Sequence, residues 1–259
     1  MAGLEALLFD VDGTLADTER DGHRVAFNAA FAERGLDWHW SVELYGQLLR
    51  VTGGKERIHH YLEHFNRDFQ APHDLDGFIA ELHRAKTQHY TRMLAEGRIP
   101  MRPGVRRLLD EARGEGLRLA IATTTTPENV GALLCYGLGP EAEGWFEVIA
   151  AGDVVPAKKP AADIFTYALD KLGLPPGACV AFEDSDNGLR SALGAGITSV
   201  VVTVNDYTRE QDFAGATLVL DQLGEPGKPC NVLRGELDGD SMVTVDALRR
   251  LHAAARRAA

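Results

Sequence analysis

Two aspartates at the end of a short apolar run are the residues whose types and spacing most directly indicate chemistry. The run 7–9 leads into Asp10-Val11-Asp12-Gly13-Thr14. Side chains two positions apart in a strand point to the same face, so the two carboxylates would repel unless a cation or proton lay between them. Such a pair suits Mg²⁺ binding and attack on a phosphate. An acidic turn after a buried strand is the alternative.

A run of threonines follows a second apolar segment. Leu119–Ala122 leads into Thr123–Thr126 and then Pro127. A threonine cap before a proline at the first helical position marks a helix start, and hydroxyls and free N–H groups there can bind an anion. Thr126 alone would satisfy ordinary capping, so Thr123 is the candidate phosphate ligand.

A lysine pair precedes a proline further along the chain. Pro160 holds Lys159 in an extended conformation, and we expect its ammonium group to point at the strand ends. Two solvated surface lysines, Lys158 and Lys159, are the alternative interpretation.

A second acidic pair, Glu183 and Asp184, ends the apolar run 180–182. Together with Asp10 and Asp12, these residues supply the hard oxygen ligands that Mg²⁺ prefers. Taken alone, the pair could instead be an acidic cap for the following helix.

After Pro103 the sequence alternates between apolar runs and helical patterns. This alternation predicts an α/β fold with a doubly wound parallel sheet of the Rossmann-like type, whose ligand site lies outside the carboxyl ends of the strands. The predicted strands are Leu4–Phe9, Leu117–Ala122, Phe146–Ala150, Val180–Phe182 and Val200–Val204. The predicted helices are Val105–Arg113, Pro127–Leu134, Pro160–Leu172, Leu189–Ala195 and Val245–Arg257.

Between the first strand and Pro103 the sequence has helical spacing and no convincing strand. We therefore predict a helical cap domain, residues 17–100, inserted into a core domain of residues 1–16 and 101–225, where it would act as a lid. Residues 226–259 are predicted to form a C-terminal extension with a terminal helix. The predicted cap helices are Thr18–Arg34, Val42–Leu49, Lys55–Phe65 and Leu75–Leu94.

The charge balance narrows the class of partner. The 259 residues carry 27 Lys and Arg against 38 Asp and Glu, a formal net charge of −11, which argues against a nucleic-acid binder. Any site that binds an anion must then carry enough local positive charge to reverse the sign of the overall electrostatic field. Three separated cysteines, no signal peptide and no membrane helix predict a cytoplasmic protein without a membrane partner. The oligomeric state stays open, with a monomer favoured.

The four polar segments, in this order, resemble the four motifs of the haloacid dehalogenase superfamily, and the helical insertion resembles that superfamily's first type of cap. The resemblance covers roughly Leu4 to Leu220. It implies that Asp10 is the nucleophile that forms an aspartyl-phosphate, and that Asp12 protonates the leaving alkoxide and then activates water. Thr123 and the N–H group of Thr124 would bind the phosphoryl oxygens.

The same resemblance implies a Mg²⁺ cofactor. The ion would be held by the Asp10 carboxylate, the backbone carbonyl of Asp12 and Asp184, with Glu183 ligating or supporting. Mg²⁺ and Lys159 would neutralise charge between the nucleophile and the phosphate.

A glycine pair in the predicted cap indicates a second anion site. Two glycines before a helix let backbone N–H groups approach an anion, which the helix N-terminus favours. Nearby lysine and arginine side chains add positive charge, so a second phosphate of the substrate would bind here. A glycine-opened helix with a charged face is the alternative. The candidate residues are Thr52, Gly53, Gly54, Lys55, Arg57 and Lys86.

This glycine segment, together with Tyr45 and the segment ending at Glu19, resembles the CbbY branch of the superfamily, phosphatases linked to carbon fixation in the Calvin cycle. The implied substrate is a small phosphorylated sugar, xylulose 1,5-bisphosphate, converted to xylulose 5-phosphate. Glu19 and His23 would meet its hydroxyls, with Tyr45 also at the substrate, although Gly22 leaves the alignment of His23 open. A phosphosugar mutase similar to beta-phosphoglucomutase and a phosphometabolite-binding regulator without turnover are the alternatives.

Overall fold

The structure, a computed structural model, describes residues 3–51 and 53–258. Its residues fall into two compact units: those up to Asp17 with those from Pro100 onward form the first, and Thr18–Ile99 form the second. The predicted C-terminal extension belongs to the first unit. Among the described helices, none combines the length and apolar character that crossing a bilayer requires.

The strands and helices are numbered in chain order. The strands are β1 (Ala6–Phe9), β2 (Arg118–Ala122), β3 (Val148–Ala150), β4 (Cys179–Glu183), β5 (Val200–Thr203), β6 (Leu218–Leu220) and β7 (Val232–Arg234). The α-helices are α1 (Arg24–Glu33), α2 (Val42–Leu48), α3 (Gly54–His64), α4 (Leu75–Ala95), α5 (Val105–Gly114), α6 (Pro127–Leu138), α7 (Asp163–Leu172), α8 (Asp186–Gly194) and α9 (Val245–Ala258).

The sheet has the strand order β3-β2-β1-β4-β5-β6-β7, and every neighbouring pair is parallel except β6 with β7. In the register, Phe9 pairs with both Ile121 and Phe182. The carboxyl ends of β1, β2 and β4 therefore lie side by side at one edge. This arrangement confirms the predicted doubly wound α/β fold.

The sheet is covered on both faces by helices. On one face, strand residues such as Leu8 and Ala181 share a buried cluster with Phe165 of α7 and Leu189 of α8. The alternate strand residues, such as Phe9, are buried on the opposite face, and α5 packs against β2 and α9. Continuous apolar runs are what a parallel sheet covered on both sides requires.

Several elements differ from the sequence-based expectations. The strands β6 and β7 were not predicted, because each has only three residues and little periodicity. Helix α7 begins at Asp163 rather than at Pro160. The first cap helix begins with a π-helical segment, Thr18–His23, in which a Cβ at Gly22 would lie 2.7 Å from the Ile99 side chain.

The second unit is a helical domain with an aromatic core. Helix α4 packs against α1 and α3. Trp40 is fully buried, and its ring lies 4.7 Å from that of Phe27 and 4.9 Å from that of Phe31, between ring centroids. This core fixes the inner faces of α1 and α3, and α3 carries the candidate substrate ligands Gly54, Lys55 and Arg57.

Candidate active site

Three polar residues continue the strands at the sheet edge. The N–H of Asp10 donates to the carbonyl of Phe182 at 3.0 Å, and the N–H of Thr123 donates to that of Ala150 at 2.9 Å. Glu183 is the last residue of β4. The parallel ladder thus extends past β1 and β2, and it sets the positions of side chains that are far apart in sequence.

Lys159 joins these carboxylates. Its Nζ lies 2.6 Å from Asp10 Oδ1 and 2.6 Å from Glu183 Oε1, and its side chain is 8% exposed. Burial alone would lower the pKa of Lys159, but the charges of Asp10 and Glu183 outweigh it and raise that pKa above its ordinary value. The neighbouring Lys158 is instead half-exposed and ion-paired with Asp153, so only one lysine of the pair reaches the strand ends.

The acidic group has the composition of a divalent cation site. Asp10, Glu183 and Asp184 each offer a carboxylate oxygen, and these oxygens lie within 4.8 Å of one another. Burial raises the pKa values of Glu183 and Asp184, and the Asp10 charge adds to the effect at both. Ionising buried carboxylates is costly, but their ionisation becomes favourable once they share a cation, so this set fits Mg²⁺.

Asp12 faces a different partner. Its Oδ2 accepts a hydrogen bond from the Thr125 hydroxyl, so its side chain is held apart from the three clustered carboxylates. Thr123 is buried, and its Oγ1 accepts from the Thr125 N–H at 3.3 Å. Thr126 occupies the N-cap position of α6 without a side-chain capping bond. The threonine run therefore orders the loop around Asp12 more than it caps the helix.

The four carboxylates and Lys159 surround one cavity of about 210 Å³. The predicted residues Asp10, Asp12, Thr124, Lys159, Glu183 and Asp184 line it, together with Ser185 and Asn187, which were not predicted. Ser185 caps α8 by accepting from the Gly188 N–H, so the capping role considered for the acidic pair belongs to this serine.

Sequence reasoning also missed Asn205. Its Nδ2 donates to Asp184 Oδ2 at 2.7 Å and opposes the raised pKa of that carboxyl. Asn205 follows the end of β5 by two residues. The rule that identified Asp10 and Glu183, namely that polar residues at strand ends converge, could have found it.

Within the second unit, five of the predicted substrate ligands form one polar cluster. Tyr45 donates to Glu19 Oε2 at 2.6 Å and accepts from Arg57 at 2.8 Å, while Lys86 Nζ lies 2.9 Å from His23 Nδ1. Arg57 and Lys86 are each only 8% exposed. Two buried cations with one carboxylate leave the cluster with the positive charge that an anion site needs.

The ionisation of the cluster follows from its burial. Burial would raise the pKa of Glu19, but His23, Arg57, the Tyr45 hydrogen bond and Lys86 lower it overall. Burial and the Lys86 charge lower the pKa of His23 to about 3. His23 is therefore neutral near pH 7, and it accepts from the Lys86 ammonium group.

The glycine segment stands at the start of α3. Gly53 is the N-cap residue with φ +95°, a conformation that favours glycine, and Gly54 is the first helical residue. Lys55 is exposed on the helix surface, unlike Arg57. Thr52 lies outside the described residues.

Comparisons with known proteins agree with this geometry. Residues 4–196 match the model of the haloacid dehalogenase-like hydrolases. The chain is 54% identical over 213 residues to a CbbY protein of Rhodobacter capsulatus, a match that covers 82% of this chain and 91% of that protein.

Two solved structures of CbbY from Rhodobacter sphaeroides are 50% identical to the chain. One, in complex with phosphate, has a TM-score of 0.71 and is matched over 86% of this chain and 96% of that one. The other, a mutant in complex with xylulose 1,5-bisphosphate, has a TM-score of 0.70 and is matched over 85% and 96%. The chain thus belongs to the haloacid dehalogenase-like hydrolases and is an enzyme of the sugar phosphatase class.

Proposed function

We propose that the protein is a Mg²⁺-dependent phosphatase that converts xylulose 1,5-bisphosphate to xylulose 5-phosphate and phosphate. The observation that carries this proposal is the contact of Asp10 with Lys159 beside Glu183 and Asp184. A nucleophilic carboxylate, an ammonium group and two further acids in one cavity are suited to phosphoryl transfer. The substrate is supported by the relative that holds this bisphosphate.

The reaction would proceed in two displacements. A carboxylate oxygen of Asp10 forms a bond to phosphorus while the bond from phosphorus to the sugar oxygen breaks, and Asp12 gives its proton to the departing alkoxide. Asp12 then takes a proton from water, whose oxygen bonds to phosphorus and releases Asp10. The Thr125 hydroxyl would hold the Asp12 carboxylate in place for both transfers.

The remaining residues of the cavity would bind and neutralise the phosphate. The Asp10, Asp184 and Glu183 side chains, with the backbone carbonyl of Asp12, would hold Mg²⁺. When bound, the ion supplies positive charge between the nucleophile and the phosphate and stabilises the charge that develops. Lys159 acts in the same sense from its position at Asp10.

Thr123 and the N–H of Thr124 would bind the phosphoryl oxygens of the reacting group. This part of the proposal is supported by the position of Thr123 at the end of β2 and by Thr124 in the cavity lining.

We propose that the cap selects the bisphosphate. Arg57 and Lys86 would bind its second phosphate, because they are buried cations with a single carboxylate, Glu19, in their cluster. Glu19, His23 and Tyr45 would bind the sugar hydroxyls. The N–H groups at the start of α3 and the Lys55 side chain would complete the phosphate site. The residues proposed for this part of the site are Thr52, Gly53, Gly54 and Lys55.

We further propose a cytoplasmic location with a small-molecule partner alone. The three cysteines are free, as is usual in a reducing compartment. The net charge of −11 disfavours nucleic acid.

The test is phosphate release from xylulose 1,5-bisphosphate, ribulose 1,5-bisphosphate and glycolate phosphate, with Mg²⁺ and with a chelator. We expect the highest kcat/KM for xylulose 1,5-bisphosphate and no turnover without the ion. Equal kcat/KM values for all three would contradict the substrate. Formation of glucose 6-phosphate from beta-glucose 1-phosphate, in place of phosphate release, would indicate a mutase instead.

A further inference from the structure

Arg102 makes an unusual set of contacts for a residue outside the predicted site. It is 7% exposed and lies two residues after Pro100, where the chain re-enters the first unit. Its NH1 donates to the carbonyls of Gly13 and, at 2.9 Å, Thr203. Its NH2 donates to the carbonyls of Val204 at 2.6 Å and Asp221 at 2.8 Å. One guanidinium group thus joins three loops at the carboxyl edge of the sheet.

One of these loops carries a proposed catalytic group, and a second carries the hydrogen-bond partner of a proposed metal ligand. Gly13 directly follows Asp12, and Val204 directly precedes Asn205, which donates to Asp184. The two loops are in close contact, since a Cβ at Gly13 would lie 2.2 Å from Asp184 Oδ2 and 2.7 Å from Asn205 Nδ2. A displacement of the Gly13 carbonyl would therefore shift Asp12, and a displacement of the Val204 carbonyl would shift Asn205, the hydrogen-bond partner of Asp184.

The backbone and an ion pair hold Arg102 itself in place. Its N–H donates to the Leu15 carbonyl at 2.8 Å, and its Nε lies 3.6 Å from Asp17 Oδ1. Arginine suits this place because its planar fork offers five donors in fixed directions, whereas lysine offers three from a single atom.

We propose that Arg102 is a positioning residue for phosphoryl transfer, which fixes the Asp10–Thr14 loop against the end of β5 and so sets the relative places of Asp12 and the Asn205–Asp184 pair. The inference rests on the proposed phosphatase function. It assigns Arg102 no contact with the substrate.

The test compares Arg102→Lys with Arg107→Lys. Arg107 is a matched control because its guanidinium, like that of Arg102, donates to several carbonyls in the same unit, here those of Leu223, Gly224 and Val243. Steady-state kinetics with p-nitrophenyl phosphate, at a temperature where both variants are folded, separate kcat from KM. We expect Arg102→Lys to lower kcat by about 10²-fold, as a misplacement of about 1 Å can, with KM nearly unchanged. Arg107→Lys should retain the wild-type kcat.

Hydrogen exchange gives a readout that does not depend on activity. In Arg102→Lys, the amides of the Asp10–Thr14 loop and of residues 204–206 should exchange at least about tenfold faster than in Arg107→Lys. A wild-type kcat in Arg102→Lys, or equal exchange in the two variants, would overturn the inference. If the wild-type protein hydrolyses p-nitrophenyl phosphate but not xylulose 1,5-bisphosphate, the proposed substrate is wrong. The comparison of the two arginine variants with p-nitrophenyl phosphate still tests the role of Arg102.

Discussion

Replacing Lys159 with methionine removes the ammonium group that lies 2.6 Å from both Asp10 and Glu183. All three side chains are less than a tenth exposed, so the variant leaves two carboxylates buried without their cation. Loss of one partner from a buried ion pair typically costs about 3–5 kcal/mol. The free energy of unfolding near neutral pH, measured by urea titration with a chelator present, should fall by about that amount.

The control is Lys158→Met. Lys158 is half-exposed and its partner Asp153 is 90% exposed, so the change should cost at most about 1 kcal/mol. Equal destabilisation by the two substitutions would refute the reasoning.

The same variant has a characteristic pH dependence. Burial raises the pKa of Glu183 although Lys159 opposes it, and without the lysine that pKa rises further. A carboxyl whose folded pKa is raised favours the folded state at low pH and loses this contribution as the pH rises through the folded pKa. In wild type this folded pKa of Glu183 is about 8, so the stability difference between wild type and Lys159→Met should widen as the pH rises through about 8. A difference that is constant with pH would contradict the role assigned to the ammonium group.

Three further predictions concern the cap and the Asp10–Thr14 loop. Arg57→Met should raise KM for the bisphosphate by more than about tenfold and leave KM unchanged for p-nitrophenyl phosphate, which has a single phosphate. An equal change in KM for the two substrates would exclude a second phosphate site at Arg57. The pKa of His23 is lowered to about 3 in the folded state, so as the pH falls His23 takes up its proton in the unfolded state before it does so in the folded state. The free energy of unfolding should therefore fall as the pH drops below about 6.5, by at most about 1.4 kcal/mol per pH unit. In urea titrations, the decrease in the free energy of unfolding per pH unit should be smaller in His23→Gln than in wild type. An identical decrease in the two proteins would contradict the role assigned to His23. Gly13→Ala should lower kcat by about 10²-fold, because its Cβ would lie 2.2 Å from Asp184 Oδ2, whereas Gly116→Ala, with a similar positive φ and nothing within 4 Å, should leave kcat unchanged.

Much of the core site could be predicted because parallel strands bring their carboxyl ends together. Asp10, Thr123 and Glu183 each follow or end an apolar run, and the register of β1 with β2 and β4 places them side by side. The extended backbone before Pro160 likewise indicated the direction of Lys159. These expectations needed only local patterns and the general geometry of the sheet.

Other features depend on tertiary contacts that leave no local pattern. The pairing of His23 with Lys86 joins residues 63 positions apart, and the π-helical segment at Thr18–His23 depends on packing around Gly22. Arg102 contacts carbonyl groups, which every residue carries, so nothing in the sequence identifies its partners. The short strands β6 and β7 have too few residues for periodicity to be visible.

The central claim is that Asp10 carries the phosphoryl group between substrate and water. The most direct measurement uses Asp12→Asn with Mg²⁺ and p-nitrophenyl phosphate, whose leaving group departs without a proton. Because asparagine cannot activate water, the intermediate should accumulate. We predict a burst of one nitrophenolate per chain, and acid quench with mass spectrometry should find one phosphoryl group on the peptide that contains Asp10. A burst with the phosphoryl group on another residue, or steady turnover with none on the protein, would contradict the account.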